Sequence, residues 1–204
     1  RPLGLRLAIG EMLFRGIYLA NLNEVPLLDE ESHQKIYASF SLLSMLTPPG
    51  PLYPSLGDNG GPLADPILQL GIKMLSHPMC TELERARMLQ KDADPEILPR
   101  DFCSTKAGFL CSRSSYRHDG NYILMSAKTG CGCSGHNHMD LLSLFLTFRG
   151  QAFIGEPYTD KLYHSIRMNS ELRGYMYNMT SHNTVLAHGE PVLPDCVYAN
   201  KWGV

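Results

Sequence analysis

No apolar run in this chain approaches the roughly 20 residues that a membrane-spanning helix needs, which excludes an ordinary transmembrane segment from the sequence given. Neither charge sign is in excess: 18 Lys and Arg stand against 20 Asp and Glu, a formal net charge of −2. The chain as a whole is therefore no polyanion binder, and an anionic partner has to be met by a local basic patch. The six cysteines, Cys80, Cys103, Cys111, Cys131, Cys133 and Cys196, include no Cys-x-x-Cys pair, so the usual spacing of a structural zinc site is missing. Small buried thiols are the default reading, with a Cys111, Cys131, Cys133 cluster as the alternative. The N-terminus, Arg1-Pro2-Leu3-Gly4, has neither a starting methionine nor a signal-peptide pattern, and it reads like the middle of a longer protein.

What is present is ample material for a core, at 44% hydrophobic residues over 204 positions. The first hundred residues carry helical signals. Ile9, Leu13 and Ile17 recur at four-residue steps, with Met12 and Ala20 widening the stripe, so a helix is expected over about 5–21. Asp29-Glu30-Glu31 suits the positive end of a second helix, with Ile36, Phe40 and Leu43 as its buried face and Thr47-Pro48-Pro49-Gly50-Pro51 as its end. Asp65-Pro66 opens a third, with Ile67, Leu70 and Met74 inward, and Thr81-Glu82-Leu83-Glu84 has capping-box spacing for a fourth. The connector over 52–61 is rich in Gly, Pro and Asp; Tyr53 or Asp58 could face a substrate there, though an ordinary turn explains it as well.

Near Pro95–Pro99 the period changes from helical to alternating, which divides the chain into a helical part, 1–98, and a β part, 99–204. Strands are expected at Gly108–Arg113 and Tyr122–Ala127, with Asp119-Gly120 as the hairpin signal between them. Further strands are expected at Leu141–Phe148, Ala152–Gly155 and Thr184–Ala187. Helices followed by antiparallel strands, without alternation, give an α+β chain ending in a β-sandwich. Arg113, Arg117, His118 and Lys128 lie on or beside the first hairpin and could meet a polyanion, or could be solvated loop charges.

The stretch with the most chemistry is Gly135-His136-Asn137-His138-Met139-Asp140. Extended, it puts both imidazoles and the carboxylate on one side, which makes a metal corner or a proton-transfer site. By itself it reads equally well as a polar strand entry with solvated histidines. Downstream come Glu156, ending a strand, and Ser181-His182-Asn183-Thr184-Val185. If Glu156 pairs across a hairpin near Leu144, a straight strand would leave His138 about 20 Å away. The motif must then bend back before Leu141, and Gly132, Ser134 and Gly135 make an irregular approach there reasonable.

Together these segments resemble the heparinase II/III-like family of polysaccharide lyases. That family's pattern is a Gly-His-x-His-x-Asp-x-Leu-Ser run, an acidic strand end and an Ala/Ser-His-Asn-Thr-Val segment; the likeness covers about residues 100–190. The resemblance implies an α/α toroid packed on a β-sandwich, with the active site in the cleft between them. It implies His138, Glu156 and His182 as ligands of a divalent metal, zinc by preference, a donor set that suits zinc on chemical grounds too. Glu156 departs from the family's usual Asp, and its longer side chain changes the reach. His136 would be catalytic, Asp140 would orient an imidazole, and Tyr163 and Arg173 would contact the substrate, an acidic polysaccharide. The implied reaction is β-elimination on uronic-acid polymers such as heparan sulfate, hyaluronan, chondroitin or alginate, in the periplasm or outside the cell. The family's catalytic tyrosine has no match here and is expected upstream of residue 1. Two alternatives remain open from the sequence: a uronyl epimerase on the same fold, and a non-catalytic, zinc-stabilised carbohydrate-binding module.

Overall fold

A computed structural model describes residues 3–25, 27–50, 54, 65–105, 107–126, 141–155, 171, 175 and 181–185, with the side chains of the first helix described from Met12 onward. Among the described residues there are four helices followed by five strands: α1 (Leu3–Leu22), α2 (Glu30–Leu46), α3 (Asp65–Leu75), α4 (Pro78–Leu89), β1 (Phe102–Ser104), β2 (Phe109–Arg113), β3 (Tyr122–Ser126), β4 (Ser143–Phe148) and β5 (Gln151–Ile154). No helix among them is long and apolar enough to cross a membrane.

Helix α2 forms where its signals place it. Asp29 accepts the Ser32 N–H at 2.8 Å as N-cap, and Ile36, Phe40 and Leu43 are buried. Its neighbour α1 is turned relative to expectation. Phe14, Ile17 and Ala20 face the core, while Met12 is 78% and Leu13 50% exposed. Apolar residues lie on nearly every side of α1, so spacing alone does not choose the face; the contact of Phe14 with Phe40, ring centroids 4.6 Å apart, does. Helix α4 starts earlier than the capping-box spacing suggests. Pro78, with its preset φ, takes the first helical turn, His77 is the N-cap, and the Thr81 hydroxyl donates back to the His77 carbonyl from inside the helix. Gly71 lets α3 approach α2 and α4 closely, since a Cβ there would lie 2.7 Å from Phe40 Cδ1 and 2.9 Å from Cys80 Sγ.

The strands form one antiparallel sheet in the order β1-β2-β3-β4-β5. Cross-strand partners share a face. The inner face carries Cys111, Leu124 and Phe145, with Arg113, Tyr122 and Thr147 in the next row. It joins the helices in one hydrophobic cluster that runs from Phe14 through Phe40 and Leu83 to Tyr122 and Leu124. The outer face carries Leu110, Met125 and Leu144, then Ile123, Leu146 and Ile154.

The β2–β3 connection occupies 114–121, and Asp119-Gly120 is not a two-residue hairpin turn within it. Gly120 is needed there for space, because a Cβ would sit 2.6 Å from the Ser115 carbonyl. The tight turn is at β4–β5, where Arg149 and Gly150 both have positive φ (49° and 73°), the type I′ pattern that suits strand twist. Cys80 and Cys111 are buried free thiols and Cys103 is exposed; burial pushes the Cys80 thiol up to about 11.

Candidate functional site

The β2–β3 and β4–β5 connections lie at one end of the sheet. At the other end β4 begins and β5 finishes, and here the segment 181–185 is fastened. Asn183 Oδ1 accepts the Leu144 N–H at 2.5 Å and lies 3.4 Å from the Ser143 hydroxyl that donates to it. Its Nδ2 donates to the Gly155 carbonyl at 3.3 Å. The Thr184 hydroxyl donates to the Leu141 carbonyl. Thr184 and Val185 are therefore not strand: their segment is held to the sheet by side chains rather than by a backbone ladder. His182, between Ser181 and Asn183, is half-buried with Nε2 shielded from solvent.

Leu141 and Leu142 form a turn rather than the start of β4. Leu142 has φ 60°, a left-handed conformation that costs a bulky L-residue about 1 kcal/mol. Backbone strain of this kind collects where a structure holds a functional group in place. The chain turns at Leu141–Leu142, while the bend expected before Leu141 lies outside the described residues. His136, His138, Asp140, Glu156, Tyr163 and Arg173 lie outside the described residues, as do Tyr53, Asp58 and Lys128. Among the described residues, no three His, Cys, Asp or Glu side chains gather as a metal site. The structure accordingly gives the position of His182 and of the residues that follow Asp140 and precede Glu156 in the chain.

Of the basic residues once available for a polyanion, Arg113 is buried and stacked between Tyr116 and Tyr122, 4.2 and 4.8 Å from their ring centroids. Arg117 pairs with Asp119 at 2.9 Å at the exposed turn. A mostly apolar pocket lined by Leu68, Ile72, Cys80, Leu83, Arg87 and His118 lies beside the 114–121 connection. It is not this site.

Sequence reasoning picked out His182 and passed over Asn183. A carboxamide next to a histidine signals nothing by spacing, and its three partners become visible only once the strands are paired.

The fold has counterparts among solved structures. A heparinase III matches 93% of this chain with a TM-score of 0.70 at 16% identity. The heparan sulfate lyase HepC from Pedobacter heparinus matches 92% with a TM-score of 0.68 at 14% identity. This chain has the fold of part of a heparinase III. It spans 30% of the first of those chains and 29% of the second. No family model matches the sequence, and no curated protein does either.

Proposed function

We propose that the chain carries the sheet-side part of the active site of a polysaccharide lyase acting on uronic-acid-containing polysaccharides. The observation that carries this reading is the double attachment of the 181–185 segment, through Asn183 and Thr184, to the Leu141–Leu144 stretch and to Gly155. Those are the residues that immediately follow the His136–Asp140 motif and immediately precede Glu156. The described residues next in sequence to the first two motif segments are thus hydrogen-bonded to the third. The fold shared with heparinase III and with a heparan sulfate lyase supports the same reading.

In this reading His138, Glu156 and His182 hold a divalent zinc ion. Two neutral imidazoles and a carboxylate are good zinc donors, and the shielded Nε2 of His182 suits a ligand atom. When bound, the ion supplies a fixed positive charge and rigidity to the face that lines the cleft. Asp140 orients one of the imidazoles. The substrate proton at C5 of the uronic acid is weakly acidic, so its removal needs the neighbouring carboxylate neutralised and a base in place. His136 serves in that proton transfer, since an imidazole can accept or donate near neutral pH. Arg173 offers a guanidinium fork to the sugar carboxylate or sulfate, and Tyr163 a hydroxyl to the sugar. Elimination then breaks the C4–O4 bond, O4 takes a proton, and a 4,5-unsaturated sugar remains.

The same reading makes the helices part of an α/α toroid and the sheet one layer of a sandwich. The apolar outer face, Leu110, Ile123, Met125, Leu144, Leu146 and Ile154, supports a second layer against it. A lyase of this kind works in the periplasm or outside the cell.

The test is incubation of the full-length protein with heparan sulfate, hyaluronan, chondroitin and alginate, followed by ultraviolet absorbance. A lyase gives a rising signal from the unsaturated product, and His136→Ala lowers the rate by orders of magnitude. Solvent-hydrogen exchange at C5 with no absorbance change would indicate an epimerase instead. Undiminished turnover in His136→Ala would remove His136 from the reaction.

A further inference from the structure

Leu146 and Ile154 form the last described rung of the β4–β5 ladder at this end of the sheet. Continued in the same register, the ladder would set Leu144 opposite residue 156. The Leu144 N–H goes instead to Asn183 Oδ1 at 2.5 Å, while the Gly155 carbonyl receives Asn183 Nδ2 at 3.3 Å. One carboxamide therefore satisfies a donor from β4 and an acceptor from the residue that follows β5. Its orientation follows from those partners: turned over, it would set NH2 against an N–H and oxygen against a carbonyl. Asp lacks the donor, Leu lacks both halves, and Ser has one shorter hydroxyl in place of two separate polar atoms. The Thr184–Leu141 hydrogen bond holds the next residue to the turn beside it.

We propose that Asn183 is a positioning residue, an interstrand wedge that parts β4 from β5 and fixes where the chain enters Glu156 and where His182 sits. It acts through those two residues and touches no substrate. The inference rests on the reading of His138, Glu156 and His182 as a zinc site, and it adds the element that sets their spacing. The Ser143 hydroxyl, 3.4 Å from Oδ1, supports the wedge from the β4 side.

The test compares wild type with Asn183→Leu in the full-length protein. The substitution keeps size and branching, adds no charge and removes both hydrogen-bonding halves. Zinc affinity is measured by competition with a chromophoric chelator, at a temperature where thermal unfolding shows both zinc-free forms folded. The expected result is zinc binding weakened about 10- to 100-fold, the range typical when a group that orients metal ligands is lost. Equal affinity in the two folded proteins would overturn the wedge while leaving the zinc site standing, whatever happens to Tm. Failure of the wild type to bind zinc would instead overturn the reading on which the wedge depends. Should Asn183→Leu not fold, Asn183→Ser is judged by the same comparison.

Discussion

Arg113 Nη1 donates to the Thr47 carbonyl at 2.6 Å, a bond that spans 66 residues of sequence and ties the sheet to the end of α2. Arg113 Nη2 reaches the Met45 carbonyl, and the Tyr122 hydroxyl donates to Leu46 at 2.9 Å. The last carbonyls of a helix have no partner within it. Here three consecutive ones are satisfied by the sheet, and the positive guanidinium sits at the negative end of the helix dipole.

Arg113→Lys is expected to lower stability by about 2 kcal/mol, because one ammonium cannot bridge two carbonyls or stack between two tyrosine rings. Denaturant unfolding of the variant checks this. An unchanged midpoint would mean that the buried guanidinium does no more than fill space.

His77 gives a pH dependence with a definite sign. It is fully buried, its Nε2 lies 3.1 Å from the Tyr37 carbonyl, and Nδ1 is buried with no hydrogen-bond partner. Nε2–H donating to that carbonyl, with the Ser41 hydroxyl 3.2 Å away, leaves buried Nδ1 as the site a further proton would take. Burial accordingly holds its pKa below the ordinary 6.5, against a smaller opposing effect of the Tyr37 carbonyl. The unfolded chain then binds the proton more readily than the folded one. The contribution of His77 to stability is flat above about pH 7 and falls as the pH drops below the ordinary histidine value towards the lower folded one. Urea titrations at about pH 7 and about pH 5 should show the loss, and His77→Gln should reduce it. An equal loss in the variant would assign the acid sensitivity to other groups.

Much of the secondary structure was legible from the sequence because it is locally encoded. The Asp29 cap, the Ile36–Phe40–Leu43 stripe and the alternation in β2 and β3 all declare themselves within a few residues. What escaped was decided at a distance. The inward face of α1 is chosen by Phe40, and β1, only three residues long, forms because β2 offers it an edge. Arg113 reads as a surface charge until Met45 and Thr47 are placed beside it. At the site, the histidines stand out by type and spacing, whereas the wedge of Asn183 depends on a register that ends at Ile154. Thr184-Val185 has the residue preference of a strand, yet side-chain bonds to Leu141 and Leu144 hold its segment instead.

Whether the segments around His138, Glu156 and His182 meet at one ion is decided by X-ray absorption at the zinc edge of the full-length protein. One zinc per chain is expected, with nitrogen and oxygen ligands at about 2.0–2.2 Å, including two imidazoles, and with that signature lost in His182→Ala. A shell dominated by sulfur at about 2.3 Å, or zinc that stays bound unchanged in His182→Ala, would contradict it.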